Sequence, residues 1–227
     1  MPLKKHKDTG SSNRPDPTVV FYPLLLLALI LWILYRSLFY FPVWFDEIIG
    51  KALFFGFPVW LYITIAGSSR IADSFSLAKF KPGVLLGLAV GGMFGFTTSV
   101  IAVLQNGAMV EPVWLFSSNI FWKEFLLAMF TSFWETLLFF AFVMTVIMDK
   151  YPKWSLSGQA VFTAFIFVVF HIPNSFIRFE PVIAIWQILI LFLFALGQSF
   201  LFATRRNGYA LVLSHAIWGM VLLTHSW

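Results

Sequence analysis

None of the 227 residues is cysteine, which excludes disulfides, thiolate zinc sites, iron–sulfur clusters and a cysteine nucleophile. Charge is scarce as well: Asp, Glu, Lys and Arg make up 11% of the chain, against roughly 25% in soluble domains. The formal net charge is +5, but the bases are scattered between apolar runs. They form no continuous stripe that would follow a nucleic-acid backbone, so nucleic acid is not an expected partner. Several catalytic signatures are also missing. There is no His-Glu-x-x-His segment for a zinc helix and no deep pair of aspartates for an aspartyl mechanism.

What the chain does have is apolar surface: 60% of its residues are hydrophobic and 20% aromatic. A bilayer core about 30 Å thick takes about 20 apolar residues per helical crossing. The apolar runs predict spans over 19–45, 48–67, 83–104, 119–148, 156–172, 182–203 and 209–227. The expected fold is therefore all-α, a polytopic bundle of about seven transmembrane helices. Residues 1–17 are polar and basic and read as a disordered tail, leaving 18–227 as a single membrane domain. The first run exceeds the roughly 7–15 apolar residues of a signal-peptide core and is expected to be retained.

Basic residues set the expected orientation. With the N-terminus inside, all of the 15 bases except Arg36, Lys51, Lys123 and Arg178 fall on the inner side. This predicts a cytoplasmic N-terminus and an outer C-terminus. Trp44, Trp114, Trp122, Trp154 and Trp227 stand near proposed helix ends, where amphipathic rings anchor at the interface. In the third span Gly83, Gly87, Gly91 and Gly95 recur every four residues, a small-residue stripe suited to close helix packing. No Lys-Ser/Thr follows them, so they are not a phosphate loop.

Ionisable groups deep in a bilayer are costly and point to function. Glu135 counts out near the middle of the fourth span, His171 near the outer end of the fifth, and His215 about two turns into the seventh. One carboxylate and two imidazoles on three helices can converge to hold a water, a proton pathway or a metal. Each also has a structural alternative: an interhelical hydrogen bond for Glu135 and His215, a helix end for His171. Arg36, Lys123 and Glu124 lie close enough to the interfaces to snorkel. Ser199 is the one serine left as a candidate partner for His215, because Ser214 points about 100° away from its neighbour.

The same three residues fall on an ordered set of motifs. Glu135 and Phe139 lie in Glu135-Thr136-Leu137-Leu138-Phe139-Phe140-Ala141-Phe142; Phe167-x-x-x-His171 follows, then His215-Ala216-Ile217-Trp218-Gly219 after an Arg206-Asn207-Gly208 turn. From about residue 119 to the C-terminus the chain resembles the CPBP (Abi) family of intramembrane proteases, which includes the type II CAAX prenyl endopeptidases. The family motifs read Glu-Glu-x-x-x-Arg, Phe-x-x-x-His and His-x-x-x-Asn/Asp. Here Thr136 replaces the second Glu, Phe140 the Arg, and Gly219 the Asn or Asp.

The resemblance implies an intramembrane endopeptidase acting on a membrane-associated, prenylated or bacteriocin-type substrate, in the plasma (inner) membrane of a prokaryote. Glu135 would be the general base, His171 would position water and His215 would stabilise the oxyanion. No cofactor is required on that mechanism. A competing version has Glu135, His171 and His215 bind a zinc-type divalent cation. A second class of function, motivated by the three departures, is a non-catalytic homologue that regulates membrane partners. A proton-coupled transporter is a third, though the clear pair of broken midplane helices it calls for is absent. Membrane lipids are expected partners in every case.

Overall fold

The computed structural model describes residues 17–106 and 119–224, and these fold as seven main helices with no strand among the described residues. Helix α1 is Pro17–Leu38, α2 is Val43–Ala66 and α3 is Phe80–Asn106. Helix α4 runs without a break through Asn119–Glu135, Thr136–Met144 and Thr145–Lys150. Helices α5, α6 and α7 are Leu156–Arg178, Pro181–Arg205 and Gly208–Thr224. Six helices are long and apolar enough to cross a membrane. The seventh, α7, has 17 described residues. The protein is an integral, multi-pass membrane protein of the all-α class. Trp114 and Trp227 lie outside the described residues.

Two of the boundaries that differ from the sequence reading fall at a proline. The predicted first span runs to residue 45, but α1 ends at Leu38 and Phe39–Pro42 is not helical. Pro42 disfavours helical geometry at the residue before it and then caps α2 with extended backbone. The fifth span, predicted to stop at 172, passes through Pro173 and continues to Arg178. In a bundle, neighbouring groups can satisfy backbone groups that a proline releases. Here Trp32 of α1 donates its Nε1–H to the Phe170 carbonyl at 3.1 Å, one residue past the Val169 carbonyl that Pro173 leaves without its helical donor.

Two helices contain π-helical turns, in which i→i+5 bonds replace i→i+4 and redirect side chains. In α2 the segments Asp46–Gly50 and Ala52–Gly56 flank Lys51. In α4 the segment Thr136–Met144 starts directly after Glu135. Helix α4 is the centre of the bundle there: Leu138 through Met144 are without exposed surface, so other elements cover every side.

The glycine stripe packs α3 against α7. A Cβ added at Gly87 would lie 2.9 Å from the Ala210 carbonyl and 2.8 Å from Leu213 Cβ, and one at Gly91 would lie 2.7 Å from Ile217. Only glycine permits this approach. The turn leading into α7 is fastened as well. Asn207 donates to the Lys79 carbonyl at 2.9 Å and accepts from the Ala210 N–H at 3.2 Å. These contacts set the depth of His215.

Candidate functional site

Glu135 ends the α-helical half of α4, and its side chain is 4% exposed. Imidazoles from two other helices face it. His171 Nε2 of α5 lies 3.5 Å from Oε1, and His215 Nε2 of α7 lies 3.4 Å from Oε2. The structure therefore brings all three sequence-predicted residues into one cluster. Ser199 is not part of it: its hydroxyl donates to the Ala195 carbonyl at 2.7 Å within α6. Ser214 pairs instead with Gln198, which donates to its oxygen at 3.0 Å.

Aromatic rings wall the cluster. Phe167, one turn before His171 on α5, stacks on that imidazole with centroids 4.1 Å apart. Phe194 lies 4.7 Å from the His215 ring and stacks on Trp218. These contacts hold both rings in a setting where a polar interaction is stronger than in water. The Phe167 carbonyl lies 2.7 Å from His171 Nδ1. A carbonyl only accepts, so Nδ1 carries the hydrogen. In the neutral ring Nε2 is then the acceptor, directed at Glu135. Nδ1 of His215 is buried without a hydrogen-bond partner.

One more residue enters the site, from α2. Lys51 is 4% exposed, and its ammonium lies 2.6 Å from Glu135 Oε1. It also pairs with Glu47, four residues earlier on the same helix. Glu47 in turn accepts from the Thr131 hydroxyl at 2.8 Å. The sequence reading placed Lys51 at an outer helix end, and the structure corrects this. Helix α2 begins at Val43, ahead of the predicted start, so Lys51 is about two turns inside. The signal that reveals it is the Glu47-x-x-x-Lys51 spacing in an apolar run, which a helix turns into an ion pair. Arg36 is part-buried and pairs with Asp46, its side chain 10% exposed. Among the described residues no group of three or more His, Cys, Asp or Glu is arranged to hold a metal ion.

The positions that depart from the motifs show what took their place. Phe140 is fully buried and stacks on Phe167 with centroids 5.9 Å apart. The Thr136 hydroxyl is buried without a partner. A Cβ at Gly219 would meet nothing within 4 Å, so the space for a side chain one turn past His215 is open.

A membrane-embedded helical bundle with one carboxylate facing two imidazoles is the class that fold and site define. Residues 117–221 match the family model described as Type II CAAX prenyl endopeptidase Rce1-like. Over that segment, which holds Glu135, His171 and His215, the chain is similar to this family of CAAX-protease-type intramembrane peptidases. No curated protein and no solved structure matches the chain.

Proposed function

We propose that the protein is an intramembrane endopeptidase in which Glu135 activates water for attack on a peptide bond. The observation that carries this reading is the approach of both imidazoles to one buried carboxylate, within 3.5 Å. A water between Glu135 and His171 would give hydrogens to a carboxylate oxygen and to Nε2, leaving an oxygen lone pair free to attack. As the new C–O bond forms, Glu135 takes a water proton and the carbonyl electron pair moves onto oxygen. The Nε2–H tautomer of His215 would donate to that oxyanion. Collapse breaks the C–N bond, and the proton on Glu135 passes to the departing nitrogen.

The mechanism is metal-free. A divalent cation held by Glu135 and both Nε2 atoms would have to share the Glu135 carboxylate with the Lys51 ammonium, which stands on Oε1. Two positive charges so close repel in a low-dielectric bundle. The residues present therefore do not fit a divalent cation.

The substrate class is a membrane-associated peptide, prenylated or bacteriocin-type, as the family suggests. The protein sits in a plasma membrane, that of a prokaryote, with its N-terminus cytoplasmic. Reporter fusions at Lys79, Lys153 and Arg206 should share the side of the N-terminus; a fusion reporting the opposite side would overturn this orientation.

The test of function is cleavage of a farnesylated CAAX peptide and its unmodified counterpart in mixed micelles. Glu135→Gln should reduce turnover by about 10³-fold or more, since it removes the base and keeps the shape. His171→Ala should be nearly as damaging, and His215→Ala should cost about 10²- to 10³-fold. A second reading, a non-catalytic homologue that binds and regulates membrane partners, is favoured by the open space at Gly219 and the aromatic packing of Phe140. A cellular phenotype that survives Glu135→Gln would select it.

A further inference from the structure

Helix α2 lies outside the matched segment, 117–221, yet it contributes the nearest charged group to Glu135. The contact has two rungs. Lys51 meets Glu135 at 2.6 Å, and Thr131 donates to Glu47 at 2.8 Å, both across the same 84-residue separation. Equal separations mean that α2 and α4 run in the same direction here and meet in one register. Each rung joins residues that recur four positions later on both helices, one helical turn apart. The π-helical turns on both sides of Lys51 distinguish this stretch from a regular helix.

The charges explain why a lysine stands there. Two carboxylates, the part-buried Glu47 and the buried Glu135, both contact Lys51. Without it they would be like charges with no cation between them, which is strongly unfavourable away from water. The two Glu135 oxygens are also unequal. Oε1 is held by the ammonium and also faces His171 at 3.5 Å, whereas Oε2 faces His215 at 3.4 Å.

We propose that Lys51 is a positioning residue for Glu135: its ammonium anchors Oε1 and fixes the orientation of the carboxylate that takes the water proton. Glu47, held by Thr131, keeps the ammonium in place. The catalytic consequence rests on the peptidase reading above, but the pairing itself does not.

The experiment uses the full chain in detergent with three variants: Lys51→Met, Lys51→Arg, and the double variant Lys51→Met with Glu47→Gln, which removes one charge of each sign. Dicyclohexylcarbodiimide, which attacks neutral carboxylic acids in apolar surroundings, is the probe, and labelling of Glu135 is read by mass spectrometry. Glu135 should resist in the native chain and in Lys51→Arg. In the double variant, labelling should rise by about tenfold or more. Thermal melting of the double variant should stay near native, because no unpaired charge is created at Glu47. Its turnover of the farnesylated peptide should fall about tenfold or more with KM unchanged, the pattern of a group that positions the base. Equal labelling of Glu135 in the native chain and the double variant would overturn the pairing. Native turnover in the double variant would overturn the positioning role and leave Lys51 as the partner of Glu47. If the native chain cleaves neither peptide, the peptidase reading fails and the labelling result still decides the pairing.

Discussion

Two buried polar clusters share helix α2, and adjacent residues of that helix serve them: Asp46 the first, Glu47 the second. In the first, Arg36 pairs with Asp46 and donates from Nε to Asn174 at 2.7 Å, while the Tyr35 hydroxyl donates to Asp46 at 2.5 Å. One cation meets one anion, and both carboxylate oxygens are engaged. In the second, one ammonium serves two carboxylates, two imidazoles stand at 3.4 and 3.5 Å, and a ring nitrogen has no partner. A closed set of pairs fastens α1, α2 and α5 together. An open set leaves acceptors and donors for a substrate or a water, which is what chemistry needs.

The sharpest way to break this contrast is to remove one carboxylate from each cluster. Asp46→Asn should destabilise the protein by about 3–5 kcal/mol, because Arg36 is left part-buried without its counter-charge. Turnover per folded molecule should stay near native. Glu135→Gln should do the reverse: it ends turnover but melts close to native, since Lys51 still has Glu47. Thermal melting in detergent beside cleavage of the farnesylated peptide measures both. If Asp46→Asn abolished turnover in folded protein, the two clusters would be one functional unit. A smaller effect of opposite sign should come from Gly219→Asn. Open space surrounds position 219, and the new amide would stand one turn from His215. A second oxyanion donor should raise turnover, by up to about 10²-fold. An unchanged rate would show that the site is not short of a donor there.

The helices and the charged cluster were legible in the sequence to different degrees. Apolar runs separated by polar turns are enough to show a membrane bundle, because lipid leaves a spanning chain few alternatives to helix. Glu135, His171 and His215 were legible because an ionisable residue in such a run is rare. Depth was not. Counting placed His171 near an outer end and His215 near an inner one, yet both meet Glu135. The error lay in the ends: α5 passes Pro173 and continues to Arg178, so His171 is deeper than its distance from the proline suggests. Lys51 was misplaced for the same reason, through the earlier start of α2 at Val43. Helix ends depend on which neighbours satisfy the terminal backbone groups, and those neighbours are remote in sequence, as Ser74 is from Gly208, whose N–H at the start of α7 donates to the Ser74 carbonyl at 2.8 Å.

The glycine stripe on α3 also acts as a detent. Gly87 and Gly91 are notches that admit the backbone of α7, and residues such as Leu86 and Val90 beside them are too bulky to do so. Helix α7 therefore cannot creep along α3 by one or two residues; it can only jump a whole notch. A jump of four residues moves it by about 6 Å along its axis, which would carry His215 out of reach of Glu135. The notches therefore oppose sliding of α7 along α3 and keep the imidazole at its station.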